Sequence, residues 1–382
     1  MAAAGITPIQ SNLLALPTQL VFTMACRTDL LEIAGGLAQP YNDACPTLQE
    51  LRDGLRVASE RFAHEVRRVH VFATKLTGQP RQQAITDATA SLVHEAGSLA
   101  SIARALGVYQ GQLARDLIAM RVAKAVSLAH GVLECGTDSA QMLRQAALAC
   151  AAADALPTLP ASDGAVLARK ALTIAKLAHE SAQELEQDVS DMAARAQEDG
   201  VVAMVHPDDG ELTAEQRTAQ VRACKGFKAV TRALANTVNA LQRTETAWVK
   251  QALEEPALQA ALPTAAGASA VRAALEPVSS WREWALGVNE AMLAVEDAVI
   301  DVAGAEEASD LSACADMARS ALQQLQDAVS QDACVPGQAD QPLRALPDMA
   351  ELLDVAVRLQ EALMSLEACT DPRAAASEAE TS

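Results

Sequence analysis

The chain has 382 residues, more than one hydrophobic core usually serves, so two helical domains are expected. Half of its residues are apolar yet only 2% are aromatic, and alanine dominates, a composition that favours closely approaching helices over pleated sheets and makes the expected class all-α. The formal charge of −19, from 30 basic and 49 acidic side chains, repels phosphate backbones and anionic lipid and sets nucleic acid and membrane surfaces aside as direct partners.

Residues 1–45 read as an N-terminal arm or helix. No basic residue precedes Arg27, so the charged start of a secretory signal is missing, and Pro17, Thr18 and Gln19 interrupt the apolar run. A first helical bundle is expected over 46–200. From Pro46 to Leu76 the residues Leu48, Leu51, Leu55, Ala58, Phe62, Val69, Phe72 and Leu76 recur three and four apart and predict a helix with a narrow apolar seam. Gly78 and Pro80 close it. Ile85, Ala88, Leu92, Leu99 and Ile102 mark a second helix ending near Gly107. Gly111 opens a third through Leu113, Leu117, Met120 and Leu128, stopped by Gly136, and Asp138 to Ala153 is a short fourth. Beyond Pro157 and Pro160, Ser162 is placed to cap a long helix reaching about Glu198, with Val166, Ile174, Leu177, Leu185, Val189 and Met192 apolar.

Gly, Pro and acidic residues gather after Asp199, so 201–212 reads as an acidic linker and the boundary between halves. The second bundle is expected over 213–369. Thr213-Ala-Glu-Gln216 has the form of a capping box, and Val221, Cys224, Phe227, Leu234, Val238, Leu241 and Trp248 carry a helix to Pro256, about 60 Å at 1.5 Å per residue. An Ala/Pro-rich linker then reaches Pro277. Ser280-Trp-Arg-Glu283 offers another capping box before Trp284, Val288, Val295 and Val299, Ser309 is placed to cap the next helix, and Pro342 and Pro347 precede a last one. The tail over 370–382 is polar and reads as disordered. The expected architecture is thus two consecutive antiparallel helical bundles.

Nucleotide-binding and hydrolase motifs are absent from the sequence, and no catalytic residue, cofactor, metal or small-molecule substrate is assigned. His64 and His70 stand six apart, on opposite sides of a helix, so one metal could not take both. The eight cysteines show no C-x-x-C pair and read as reduced, buried thiols. Glu184, Glu186, Asp188 and Asp191 read as a solvated face. Two candidates for partner binding stand beside Cys224: Lys225 and Lys228 could receive an acidic partner surface or a capping carbonyl, or stay in exposed salt bridges.

Several stretches carry a family resemblance: FAHEVRRVHVFATKL from Phe62, ARDLIAMRVAKAVSLAHGVLE from Ala114, the run from Ala149 to Val189, VRACKGFK from Val221, and VNEAMLAVEDAVID from Val288. Their order resembles the cyclin-D-binding protein family. The chain departs from the family pattern at Ala147, where members tend to carry Trp, and in a shorter acidic insert. The resemblance implies a non-enzymatic regulator that binds D-type cyclin and helix-loop-helix transcription factors, restrains cell-cycle progression and transcription, and occupies cytoplasm and nucleus. It also implies a bundle similar to those of vinculin and α-catenin. An adhesion or cytoskeletal scaffold of that kind is the alternative reading.

Overall fold

The structure is a computed structural model that describes residues 26–76, 79–135, 138–198 and 212–370, with side chains omitted at 79–80 and 196–198. The arm over residues 1–25, residues 201–211 of the linker and the tail over 371–382 lie outside the described residues. The chain is all-α except for one short hairpin among the described residues, and no described helix is long and apolar enough to cross a membrane. It divides into two compact units, Met1–Ala161 with Leu253–Ala274, and Ser162–Ala252 with Leu275–Ser382. That division corrects the expected domain order. The helix over 163–198, assigned to the first bundle from sequence, belongs to the second unit, where it packs on the helix that begins at Ser279. Composition marks where a chain bends; which apolar face a helix buries, and against what, decides its domain.

In the first unit a helix over 26–35, α1, precedes α2 (Leu48–Lys75), α3 (Gln79–Leu106), α4 (Gln112–Glu134) and α5 (Ser139–Asp154). Thr47 starts α2 through a capping box that sequence reading had not placed: the Glu50 amide donates to Thr47 Oγ1 at 3.3 Å and the Thr47 amide to Glu50 Oε2 at 2.8 Å. Leu51, Leu55, Ala58, Phe62, Val66 and Val69 form its buried seam. α2 packs on α3 and α5, and α4 on α3 and α5, so the four helices close a ring around one core, a helical bundle. The stretch expected as a plain linker up to Pro277 instead holds α8 (Pro256–Ala261) and α9 (Gly267–Ala274), which return to this unit. The Cys45 amide donates to Leu262 O at 2.8 Å there. Gly267 is required at this join, because a Cβ on it would stand 2.4 Å from the Leu262 carbonyl oxygen.

In the second unit α6 (Asp163–Glu198), α10 (Ser279–Gly304), α11 (Ala308–Val329) and α12 (Pro347–Ala368) pack in series, α6 on α10, α10 on α11 and α11 on α12. α7 (Ala214–Leu253) carries fifteen buried residues on several of its faces, led by Phe227, Leu234 and Val238. Its start is the expected capping box: the Gln216 amide donates to Thr213 Oγ1 at 3.2 Å and the Thr213 amide to Gln216 Oε1 at 2.9 Å. Ser162 likewise accepts from the Ala165 amide at 3.2 Å. Two other expected caps fail. α10 begins at Ser279 after Val278 and α11 at Ala308 after Glu307, neither with a side-chain cap, because the chain enters each helix one residue or more before the serine that was to cap it. A hairpin of β1 (Cys334–Val335) and β2 (Gln338–Pro342) lies between α11 and α12, turning at Gly337 with φ of 74°. Glycine is needed there twice over, for the left-handed backbone and because a Cβ would fall 1.9 Å from Trp248 Cδ1.

Candidate interaction surface

The two lysines singled out from sequence lie on one side of α7 and reach α6. Lys225 Nζ pairs with Glu186, and Lys228 Nζ is 3.2 Å from His179 Nδ1. Both therefore tie α7 to α6 within the second unit. The Lys225 pair is roughly half-exposed at both ends, where an ion pair contributes at most about 1 kcal/mol. Glu184 and Asp188 are exposed on the same helix, and Asp191 accepts from Gln187 Nε2 at 2.8 Å. His64 and His70 are not brought together with other ligands: no group of three His, Cys, Asp or Glu that could hold a metal occurs among the described residues. Five cysteines are buried and three partly so, all as free thiols, and burial pushes the Cys224 thiol up to about 12.

What α7 does with its polar residues was not foreseen. Gln220 Nε2 donates to the carbonyls of Val302 at 2.9 Å and Ala305 at 3.0 Å, at the C-terminal end of α10. Gln216 Nε2 donates to Cys369 O at 3.1 Å, just past the end of α12. The last carbonyls of a helix have no partner within it, so these two amides complete two helix ends from outside. Further along, the carboxylate of Glu245 is 2% exposed and accepts from Trp281 Nε1 at 3.0 Å and from Arg282 Nε at 3.2 Å. Trp281 stacks on Trp284, ring centroids 5.1 Å apart, and its bond to Glu245 ties the start of α10 to α7 without a cap.

With its inner face so held, α10 turns a regular outer face to solvent. Leu286, Glu290, Leu293, Asp297 and Ile300 follow each other at alternating spacings of four and three residues, one ridge of a helix. Leu293 is 54% and Ile300 52% exposed, well above what a core-facing pair would show. α12 repeats the device with Asp354, Val357, Glu361 and Met364, of which Val357 and Met364 are exposed. Asp354 pairs with Arg358 one turn on. Across α10, α11 and α12 thirteen carboxylates stand against three arginines, Arg282, Arg319 and Arg358, each of which pairs with a carboxylate of this unit. The field over the exposed apolar residues is therefore strongly negative. The sequence held the signal for these ridges, since the alternation of apolar and acidic residues at helical spacing is visible in it. The inner line of Trp284, Val288, Val295 and Val299 on the same helix is the stronger apolar pattern and masks it.

No family model matches this chain, and no curated protein matches it either.

Proposed function

We propose that the chain is a non-enzymatic regulatory protein that captures an amphipathic, basic helix of a partner protein on the α10 ridge, with the α12 ridge a second surface of the same kind. The observation that carries this reading is the alternation of exposed apolar and acidic residues along both helices, Glu290 to Ile300 and Asp354 to Met364. A partner helix with apolar residues at matching spacing and Lys or Arg between them would meet contact and charge together. Helix-loop-helix transcription factors have that chemistry, a basic region beside an amphipathic dimerisation helix, and D-type cyclin enters through the family resemblance. Sequestering such a factor would restrain transcription and cell-cycle progression in cytoplasm and nucleus. An architecture akin to vinculin and α-catenin bundles belongs to the same proposal, supported by the lengths of α6 and α7, 36 and 40 residues.

The test is a titration of the full chain with a helix-loop-helix factor and, in parallel, a D-type cyclin, at low and high salt. Saturable binding is expected, with an association rate that falls as salt screens the acidic ridges and with at least a tenfold weakening in the Leu293→Asp, Ile300→Asp double variant. Folded protein that shows no saturable binding of either at tens of micromolar would overturn the reading, as would a double variant that binds unchanged.

A further inference from the structure

The first unit holds a cleft of about 650 Å³, within the range of ligand sites, between the loop after α1, the C-terminal end of α3, the start of α4 and α9. Three guanidiniums line it, Arg104, Arg115 and Arg272, against one lining carboxylate, Asp116. On a chain with a net charge of −19 this is a marked local reversal of sign.

Two of the arginines are fixed by neutral partners. Arg104 donates from Nε to Gln39 O at 3.1 Å and from Nη2 to Pro40 O at 3.3 Å. Arg272 donates from Nη2 to Tyr41 O at 2.5 Å and to Asn42 Oδ1 at 3.3 Å. Carbonyl and amide acceptors orient a guanidinium without cancelling its charge, and each of these arginines has five N–H donors of which the named bonds use one or two. Arg115 is placed by a close approach. Its Cγ would stand 2.9 Å and its Cδ 3.1 Å from a Cβ on Gly107, so the glycine that ends α3 is what lets the arginine stem lie across it. Its Nε meets Asp116 Oδ1 at 3.3 Å, a half-exposed and therefore weak pair. Beside the charges the lining is mixed, polar at Gln39, Tyr41 and Asn42 and apolar at Val108, which is buried, and Met120, which is 56% exposed.

We infer that this cleft binds a short acidic peptide segment, its oxyanion among Arg104, Arg115 and Arg272 and a neighbouring apolar side chain against Met120 and Val108. The mixed lining is what separates such a segment from a free inorganic anion, which would leave Met120 uncovered. A long polyanion is disfavoured by the surroundings: an adjoining hollow that shares Arg104 is lined by Asp29 and Glu32, whose carboxylates would repel a continuing phosphate backbone. The site is separate from the acidic ridges of the second unit and takes ligand of opposite charge, so either can fail without the other.

Fluorescence anisotropy on the full chain tests it, with labelled peptides carrying Leu-Glu-Glu-Leu, the same with one phosphoserine for Glu, and Leu-Gln-Gln-Leu at the centre. Saturable binding of the glutamate or phosphoserine peptide and none of the glutamine peptide is expected, and the better of the two identifies the oxyanion. Arg115→Gln, whose guanidinium meets only its neighbour Asp116 in the bonds above, should weaken binding about tenfold or more without unfolding the unit, and Asp116→Asn should tighten it by removing the competing carboxylate. Gly107→Ala should weaken binding by displacing the Arg115 stem. Equal binding of the glutamine peptide, no binding of either acidic peptide at millimolar concentration, or a folded Arg115→Gln protein that binds unchanged would each overturn the inference.

Discussion

α2 buries nine residues and α7 fifteen, and they hold their neighbours in different ways. α2 does so with an apolar seam, Leu51 to Val69, and its buried Ser59 hydroxyl bonds only to the Leu55 carbonyl one turn back. α7 buries Gln216, Gln220, Thr231, Thr237 and Glu245 along with its apolar residues and turns most of them to other elements: two glutamines to the C-terminal ends of α12 and α10, and Glu245 to Trp281 and Arg282. Thr237 Oγ1 also reaches Asp348 O, in the first turn of α12, at 3.3 Å. The seam of α2 is non-directional and tolerates repacking, whereas the bonds of α7 fix where the other helices begin and end. The interfaces of α2 are therefore held chiefly by packing, and those of α7 by packing plus directional polar contacts.

Truncating the anchor of each helix should break both units by comparable amounts for opposite reasons. Phe62→Ala, in a site with no exposed surface, should cost about 3–5 kcal/mol through the lost transfer energy and cavity. Glu245→Ala should also cost about 3–5 kcal/mol, because it removes a buried carboxylate that accepts from an indole N–H and pairs with a partly buried guanidinium. The conservative changes separate the mechanisms in urea titrations of the full chain: Phe62→Leu should recover most of the loss, and Glu245→Gln only part, since an amide oxygen still accepts from Trp281 but offers no charge to Arg282. Equal recovery in both would remove the distinction between the helices.

A smaller effect, about 1–3 kcal/mol, is expected for Gln220→Ala, which leaves the Val302 and Ala305 carbonyls without this donor at the end of α10. Amide hydrogen exchange should then rise in the last turn of α10 ahead of the rest of the unit. Uniform exchange along α10 would show that the glutamine stabilises the unit without fixing the helix end. The smallest effect belongs to Lys225→Ala, below about 1 kcal/mol in the same titration, because its pair with Glu186 is open to solvent at both ends. A larger loss would mean that α6 depends on charge contacts to α7 more than its buried Leu167, Ile174 and Leu185 suggest.

The sequence was most legible where local chemistry and apolar spacing agree. The seam of α2, the Thr213 box and the span of α7 follow from patterns completed within a few residues or along one helix face. It was least legible where one pattern admits two uses. Ser280 and Ser309 look like caps, yet α10 starts on stacked Trp281 and Trp284 held by Glu245, and α11 starts after Glu307. Gln220 and Glu245 look like solvent-facing residues of a long helix until the ends of α10 are placed beside them. Lys225 and Lys228 could be read as free cations or as paired ones, and which of these holds depends on Glu186 and His179, more than thirty residues away in sequence.

Helical class and the position of most helices were thus determined by the sequence itself, because alanine-rich composition, three-and-four spacing and terminal breakers act over distances of a few residues. Membership of the two units was decided only by tertiary structure. α6 leaves the bundle it follows in the chain to pack on α10, and α8 and α9 return to the bundle that precedes them, since burying an apolar face depends on the surface that receives it. The arginine cleft has the same origin: Arg104, Arg115 and Arg272 come from α3, α4 and α9, and no pattern along the chain brings the third to the first two. Both proposed surfaces depend on the difference between those ranges, for the acidic ridges each run along a single helix and the cationic cleft is assembled from four separate segments.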